Sequence, residues 1–286
     1  MWLDGARLIL VALALNAGSP TTASVQAVID PVRLDVITDD GETQGIRLIG
    51  VASDDLCNTD TTSTRTHALV DAQSLSIQLA SDSAQPDADG RLPAYVWLSG
   101  GENLGELLVK EGDVAANRGE THPLADAFAA AQADARARHV GIWAPGACPA
   151  LATLPGFIDN STSAIQRART AISILHDQAR SAPLTGSSRA WQSTTATSID
   201  WLRSSASQLR DTPSIASASS VSDVQVSLAQ LGADLGVQAD AYAQGASVLD
   251  VGQLQQTAER LDADGEELTQ NFARLAALSA TYGAGD

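Results

Sequence analysis

The chain has 286 residues, enough for about two domains, and 44% of them are hydrophobic, which is sufficient for packed cores. Aromatic residues make up only 4%, so small aliphatic side chains are predicted to fill those cores. With 17 basic against 34 acidic residues the formal net charge is −17, which disfavours non-specific nucleic-acid binding because phosphates reward lysine and arginine.

Residues 1–24 have the features of an export signal. A single basic residue precedes the short apolar run Leu8–Leu15, small residues follow, and cleavage is predicted after Ala17 or Ala23. The run is too short to span a membrane comfortably. We therefore expect a signal peptide or N-terminal anchor and an extracytoplasmic protein, either secreted or held in the cell envelope; the alternative is a helical N-terminal extension.

The stretch 25–150 is predicted to form a small β-rich domain. Apolar and polar residues alternate with the period of half-buried strands, and polar or glycine-containing turns separate the runs. Strands are predicted at 32–36, 46–50, 75–79 and 92–98. Helices are predicted at 63–73, at 103–112 and along the alanine-rich stretch that begins near Leu124.

Strand signals are absent from the last part of the chain. Residues 144–157 contain three prolines and two glycines, as expected of a boundary, and four amphipathic helices are predicted in 158–286. Short connections between long helices favour an antiparallel four-helix bundle, assigned here to 151–286. Asp250 and Gln253 are predicted to cap the last helix.

Two tryptophans and three glycines in the predicted bundle leave alternatives open. Trp191 and Trp201, ten residues apart, are predicted on nearly the same helix face and in the core, the alternative being anchors for a partner. Gly232, Gly236 and Gly265 indicate either a close approach of two helices or kinks.

Four segments in the same order resemble the staphylococcal nuclease (thermonuclease) family. They are a strand and turn ending in RLIGVASDD (47–55), GRLPAYVWL (90–98), NLGELLVKEG (103–112) and the alanine-rich helix ending in VGIW (140–143). The resemblance covers about 30–148 and implies an SNase-like OB fold, a five-stranded barrel with three helices. The predicted class of the whole chain is α+β, with this barrel over 25–150 followed by the all-α bundle.

Two cysteines fit the same resemblance. An even number of cysteines in an exported chain favours a disulfide. Cys57 follows the RLIG segment and Cys148 follows the final turn, two places where many exported relatives carry a cysteine. The resemblance therefore implies a Cys57–Cys148 bridge, and two unrelated thiols are the alternative.

The resemblance also assigns catalytic roles. The family cleaves phosphodiesters with one calcium ion, a carboxylate base and two arginines that neutralise charge on the phosphoryl oxygens. Arg47 and Arg91 match the two arginines, and Asp55 matches the general-base glutamate one methylene shorter. The family's metal-binding aspartates are replaced by Val32 and Ala52, so only Asp54 and Asp55 are left as candidate metal ligands.

Three interpretations of this site remain open. Arg47 and Arg91 could stabilise the barrel through ion pairs with Asp54, Asp55 or Glu106; they could bind a phosphate or carboxylate ligand without cleaving it; or a rearranged calcium site could retain nuclease activity. The lost acids favour a catalytically inactive protein without a cofactor, acting as an interaction scaffold that binds a protein partner or itself through the bundle. The alternative is a Ca²⁺-dependent nuclease acting on DNA or RNA.

Overall fold

The computed structural model describes residues 19–52, 56–57, 60–71, 74–80, 85–212, 215 and 219–283. Most of the predicted signal segment, with the candidate cleavage site after Ala17, lies outside them. The chain forms two compact units. The first contains the strands and comprises the chain up to Val51 together with 59–116 and 120–138, and the second comprises 52–58, 117–119 and 139–286.

The first unit is built on a closed five-stranded barrel. Its strands are β1 (Thr21–Asp30), β2 (Arg33–Thr38), β3 (Thr43–Leu48), β4 (Leu75–Leu79) and β5 (Leu92–Trp97). The order around the barrel is β1-β2-β3-β5-β4, and β4 pairs with β1 to close it. All neighbours are antiparallel except β3 and β5. The predicted five-stranded barrel is confirmed.

Three helices accompany the barrel: α1 (Asp60–Val70), α2 (Leu104–Lys110) and α3 (Ala125–Ala137). Asn103 caps α2 by accepting the amide of Glu106, at 3.1 Å. The inward residues of β2 and β3, the apolar face of α2, and Phe128 of α3 are almost fully buried in one core. As predicted from composition, aliphatic side chains dominate this core.

The first strand is the main difference from the predicted elements. β1 begins at Thr21, inside the segment 1–24 assigned to the signal, and runs to Asp30, where no separate strand was predicted. Two register shifts interrupt its pairing with β2, between Val25 and Ala27 and between Val28 and Asp30. Bulges of this kind break the alternation of period two on which the sequence prediction relied.

The second unit contains four long helices: α4 (Pro149–Thr185), α5 (Arg189–Arg210), α6 (Ser219–Val248) and α7 (Val251–Tyr282). Each packs on its neighbour in the chain, and α4 also packs on α7. Contacts join Trp191 to Gln178, Arg203 to Asp240, Gln253 to Ala241 and His176 to Asp262. The end of α4 contacts the start of α5, and the end of α6 contacts the start of α7, so these successive helices run in opposite directions.

The start of α4 differs from the sequence prediction. Residues 144–157 were interpreted as a boundary, yet α4 begins at Pro149 and continues through Pro155 and Gly156. Proline at the first helical position lacks only an amide that would be unbonded anyway, so Pro149 is compatible with the helix start. Pro155 is an interior proline, which composition alone treats as a helix breaker.

Several bundle details can be compared with the expectations. Asp250 caps α7 by accepting the amide of Gln253, at 3.0 Å, as predicted. Trp191 is buried, but Trp201 is 46% exposed, so its assignment to the core was wrong. The physical reason is that ten residues turn a helix through 1,000°, which leaves the two side chains about 80° apart.

Candidate functional site

The candidate site lies on the outer face of β2 and β3 beside the start of β5. In β2 the inward Leu34 alternates with the outward Arg33 and Asp35, and Arg33 pairs directly with Arg47 of β3. Arg91 immediately precedes β5, which runs parallel to β3. The barrel therefore brings together the two arginines that the sequence singled out, and adds Arg33.

A turn with the pattern Asp-x-x-Gly-Arg delivers Arg91 to this face. Asp87 Oδ1 accepts the amides of Asp89, at 3.0 Å, and Arg91, at 2.9 Å. The Asp87 amide in turn donates to the carbonyl of Arg91, and Gly90 supplies the positive φ that the turn requires. The motif used for the resemblance is thus a self-bonded turn whose carboxylate also faces Arg47.

Arg91 crosses β3 to reach β2. Its Nη1 donates to the carbonyl of Leu34 at 2.9 Å and to Asp35 Oδ1 at 2.8 Å. Gly45 makes this path possible, because a Cβ there would lie 3.3 Å from the same Nη1. The guanidinium is therefore fixed by a carbonyl and a carboxylate of β2, on the far side of β3.

Arg47 is bonded to Glu120, which follows the last barrel strand and α2 in the chain. Its Nη2 donates to Glu120 Oε1 at 3.1 Å, and Glu120 Oε2 accepts the amide of Gly50 at 3.1 Å. Nη1 donates to the carbonyl of Leu48, and Asp87 approaches Nε at 3.6 Å. One carboxylate thus fixes both a guanidinium and a backbone amide, although it comes from a position 73 residues along the chain.

Arg33 completes the set. It pairs with Asp30 and, at 2.8 Å, with Asp89, and these carboxylates raise the pKa of its guanidinium. The three arginines are accompanied by five carboxylates: Asp30, Asp35, Asp87, Asp89 and Glu120. Five negative groups against three positive ones leave this face formally negative by two charges, so it is not a basic cleft.

Two side groups next to Glu120 form a short bonded pair. The Tyr95 hydroxyl lies 2.9 Å from His122 Nδ1, and the His122 ring packs edge-on to Phe128. Burial raises the pKa of Tyr95 to about 12 and lowers the pKa of His122. Both groups are therefore uncharged at neutral pH. Neither forms an ion pair with Glu120, which is paired with Arg47.

The positions at which the resemblance places metal-binding aspartates are apolar and buried. Val32 is 0% exposed and belongs to the barrel core, and Ala52 is 6% exposed. Neither has a side-chain oxygen, whereas calcium requires several oxygen ligands. The described part of the chain contains no group of three or more histidine, cysteine, aspartate or glutamate side chains arranged for a metal. These residues do not fit a calcium ion.

Two predictions about the site remain: the roles of Asp54 and Asp55, and the ion-pair partners of the arginines. Asp54 and Asp55 lie outside the described residues, so their proposed metal and base roles remain predictions. The described arginines pair with Asp35, Asp87 and Glu120, which sequence reasoning did not propose as partners, and the ion pairs of the described residues do not include the expected Glu106. Of these partners, only Asp87 could have been suggested by the sequence, because it is the first residue of the Asp-x-x-Gly-Arg motif.

The predicted disulfide is present. Cys57 and Cys148 are bonded, with their Cα atoms 5.4 Å apart, within the usual range for such bridges. Cys148 is the N-cap residue of α4, so the bridge fastens the segment around Cys57 to the start of that helix.

Comparison with known families supports the fold assignment. Residues 59–145 match the model of the family described as "Staphylococcal nuclease homologue". The barrel has an SNase-like OB fold. The match includes Arg91 but begins after β3, so the positions of Val32, Arg47 and Ala52 rest on the residue-level resemblance alone. No curated protein matches the chain.

Proposed function

We propose that this protein is a non-catalytic, extracytoplasmic interaction protein in which the SNase-like barrel is a scaffold and the helical bundle binds a partner. The observation that carries the proposal is the pairing of Arg47 with Glu120 and of Arg91 with Asp35. In a phosphodiesterase these guanidinium groups must be free to approach a phosphate. Here carboxylates of the same chain accept their hydrogen bonds.

Val32 supports the same conclusion from the opposite direction. A metal-binding aspartate at this position would have to reach out of the barrel, whereas the valine is buried among the side chains of the core. The position is now used for packing. Loss of the ligand and neutralisation of the arginines are two independent changes that both oppose phosphodiester cleavage.

The disulfide supports the extracytoplasmic assignment. Structural disulfides persist in oxidising compartments and are rare in the cytosol, where thiols are kept reduced. No helix among the described residues is long and apolar enough to cross a membrane. Counting free thiols in the protein taken directly from its native cells tests this proposal: a bonded pair supports it, and two reactive thiols at Cys57 and Cys148 contradict it.

Cleavage of single-stranded DNA by the purified protein, with calcium and with a chelator, tests the absence of catalysis. We expect no calcium-dependent cutting above the background of the matched Arg91→Ala variant. A known calcium-dependent nuclease assayed in parallel shows that the substrate and buffer are competent. Calcium-dependent cutting that Arg91→Ala abolishes would overturn the proposal.

The second candidate function is a calcium-dependent nuclease with a rearranged site. It is supported by the family match over 59–145 and by the closeness of Arg47 and Arg91 on one face of the barrel. Asp54 and Asp55 would have to supply the metal ligands. A calcium-dependent rise in melting temperature that is lost in Asp54→Asn/Asp55→Asn would support this candidate, and no effect of calcium would remove it.

A further inference from the structure

The end of the bundle that carries the α4–α5 and α6–α7 connections exposes large aliphatic side chains. Leu184 lies in the last turn of α4, Val248 is the last residue of α6, and Leu249 follows it. Their exposed fractions are 89%, 71% and 38%, and they are three of the seven large exposed apolar residues in the described part of the chain. A Cβ on Gly186 would lie 2.3 Å from Leu249 Cδ1, so the two connections are in contact. We refer to Leu184, Val248 and Leu249 as the bundle tip.

Leu249 has a backbone conformation that favours glycine. Its φ is +52°, and the amides of Leu249 and Asp250 donate to the carbonyls of Ala246 and Gly245, at 3.4 and 2.9 Å. This is the Schellman pattern that ends many helices, and glycine is usual at its left-handed position because a side chain is strained there. The helix end does not require a leucine, yet a large apolar side chain is kept there in part exposed. Backbone strain of this kind is concentrated at functional sites.

Both stretches of chain that form the tip are uncharged. Residues 181–188 and 241–249 contain no acidic or basic side chain, although 18% of the chain is charged. The carboxylates that border the second stretch are engaged within the protein. Asp240 pairs with Arg203 at 2.7 Å, and Asp250 accepts the amide of Gln253 at 3.0 Å as the cap of α7.

Two arginines border the first uncharged stretch. Arg180 lies one turn before Leu184 on the same side of α4, and Arg189 is the first residue of α5. Both are exposed, and among the described residues neither takes part in an ion pair, even with Asp177 one turn before Arg180. The tip therefore combines aliphatic side chains at its end with unpaired positive charge at its rim, in a chain whose net charge is −17.

We propose that the bundle tip docks on the surface of an anionic lipid bilayer. The inference rests on the proposed extracytoplasmic interaction function and names the surface that this end of the bundle binds. The aliphatic side chains would enter the boundary between headgroups and acyl chains, while Arg180 and Arg189 would meet the lipid phosphates. The uncharged stretches could approach this boundary without burying a charge.

A bilayer fits the tip better than a second protein surface does. A stable protein interface uses about 20–30 residues from each partner, whereas the tip offers three aliphatic side chains on two short connections. A second copy docked tip to tip would also bring Arg180 and Arg189 towards the same arginines of the first copy, with like charges opposed. Lipid phosphates instead supply the anions that these arginines lack.

The test places a solvent-sensitive fluorophore at the tip of the full chain. Ser187→Cys supplies a single free thiol for the label, since the two native cysteines are bonded to each other. A label at Ser163→Cys, an exposed position in the first half of α4, is the control for the rest of the bundle. Each labelled protein is mixed with vesicles of phosphatidylcholine, with and without phosphatidylglycerol. Position-specific labels are needed because the apolar run Leu8–Leu15 could bind lipid by itself.

Two variants of the tip-labelled protein separate the apolar contribution from the electrostatic one. The first is the triple serine variant, Leu184→Ser/Val248→Ser/Leu249→Ser, and the second is Arg180→Gln/Arg189→Gln. The matched control is Val226→Ser, because Val226 is 66% exposed on α6 but lies far from its end. Helical circular dichroism checks that each variant is folded.

We expect phosphatidylglycerol vesicles to shift the emission of the tip label to the blue and to leave the Ser163→Cys label unchanged. The triple serine variant should need at least about tenfold more lipid for half of the shift, because its aliphatic groups no longer insert. The arginine variant should lose the preference for phosphatidylglycerol, added salt should weaken binding of the wild type, and Val226→Ser should behave as the wild type.

Four results would overturn the inference. They are no shift of the tip label, an equal shift of the Ser163→Cys label, unchanged lipid binding by the triple serine variant, and a lipid-independent dimer that this variant dissociates. DNA cleavage and the count of free thiols test the proposed function separately, so failure of the lipid inference is distinguishable from failure of that function.

Discussion

On the outer face of the barrel three arginines are each bonded to carboxylates of the same chain. In the bundle, by contrast, Asp234 of α6 and Asp264 and Glu267 of α7 take part in no ion pair among the described residues. The barrel has an SNase-like OB fold, and its outward arginines are bonded within the chain. The family match ends at residue 145, before the bundle begins. The family resemblance thus identifies the fold of the barrel and does not by itself assign an activity to the chain.

Loss of the disulfide, whose two cysteines belong to the second unit, has the largest expected effect. Replacing both cysteines, as Cys57→Ser/Cys148→Ser, removes a bridge that closes a loop of 91 residues. In the chain-entropy model this costs up to about 4–5 kcal/mol. Chemical denaturation followed by helical circular dichroism measures the loss. Reduction of the wild type is the control, and a midpoint that neither treatment changes would contradict the role of the bridge.

The core position Val32 tests whether the barrel has exchanged ligand binding for packing. Val32→Asp buries a carboxylate in the core and should destabilise the barrel by about 4 kcal/mol or more, whereas the matched Val32→Ala, which removes only buried methyl groups, should cost about 2 kcal/mol. Urea denaturation compares the two. A tolerated Val32→Asp that calcium stabilises would instead show that the position can still bind metal.

These two regions also show what the sequence could predict. Alternation identified β2, β4 and β5, and apolar spacing identified the four bundle helices, because each is a local pattern. β1 was missed because its bulges interrupt that pattern. The partners of the arginines could not be predicted locally: Glu120 lies 73 residues from Arg47, and Asp35 lies 56 residues from Arg91. Only the closed barrel brings them together.

The start of β1 gives the next prediction. Strand β1 pairs with β4 only through its first three residues among the described residues. Thr21, Thr22 and Ala23 pair there with Ile77, Ser76 and Leu75. A chain beginning at Ser24 would therefore open the barrel. Compared with a chain beginning at Ser19, it should lose about 3 kcal/mol through broken strand hydrogen bonds and the burial of Ala23. Equal denaturation midpoints would contradict this, and would restore cleavage after Ala23 as compatible with the fold.

Two glycines of α6 test whether α5 and α6 approach each other closely. Gly232 faces α5, and Gly236 faces open space. A Cβ at Gly232 would lie 2.6 Å from the carbonyl oxygen of Ala206 in α5, whereas nothing lies within 4 Å of one at Gly236. Gly232→Ala should therefore destabilise the bundle by about 1–2 kcal/mol, and Gly236→Ala should stabilise it by about 0.5–1 kcal/mol through helix propensity. Thermal unfolding compares them, and two shifts of the same sign would contradict the close approach of α5 and α6.

The smallest effect concerns Asp264 of α7. Because the pKa of Asp264 is raised in the folded protein to about 6 from 3.8, the folded state holds this proton more tightly than the unfolded state. Its contribution to stability is full below about pH 4 and is lost as the pH rises through 6. Asp264→Asn should therefore stabilise the protein at pH 7.5, by less than about 1 kcal/mol because solvent screens this half-buried group, and should have little effect at pH 4. Urea midpoints at the two pH values test this, and equal effects at both would show that burial and the neighbouring Asp234 and Glu267 do not raise the pKa of Asp264.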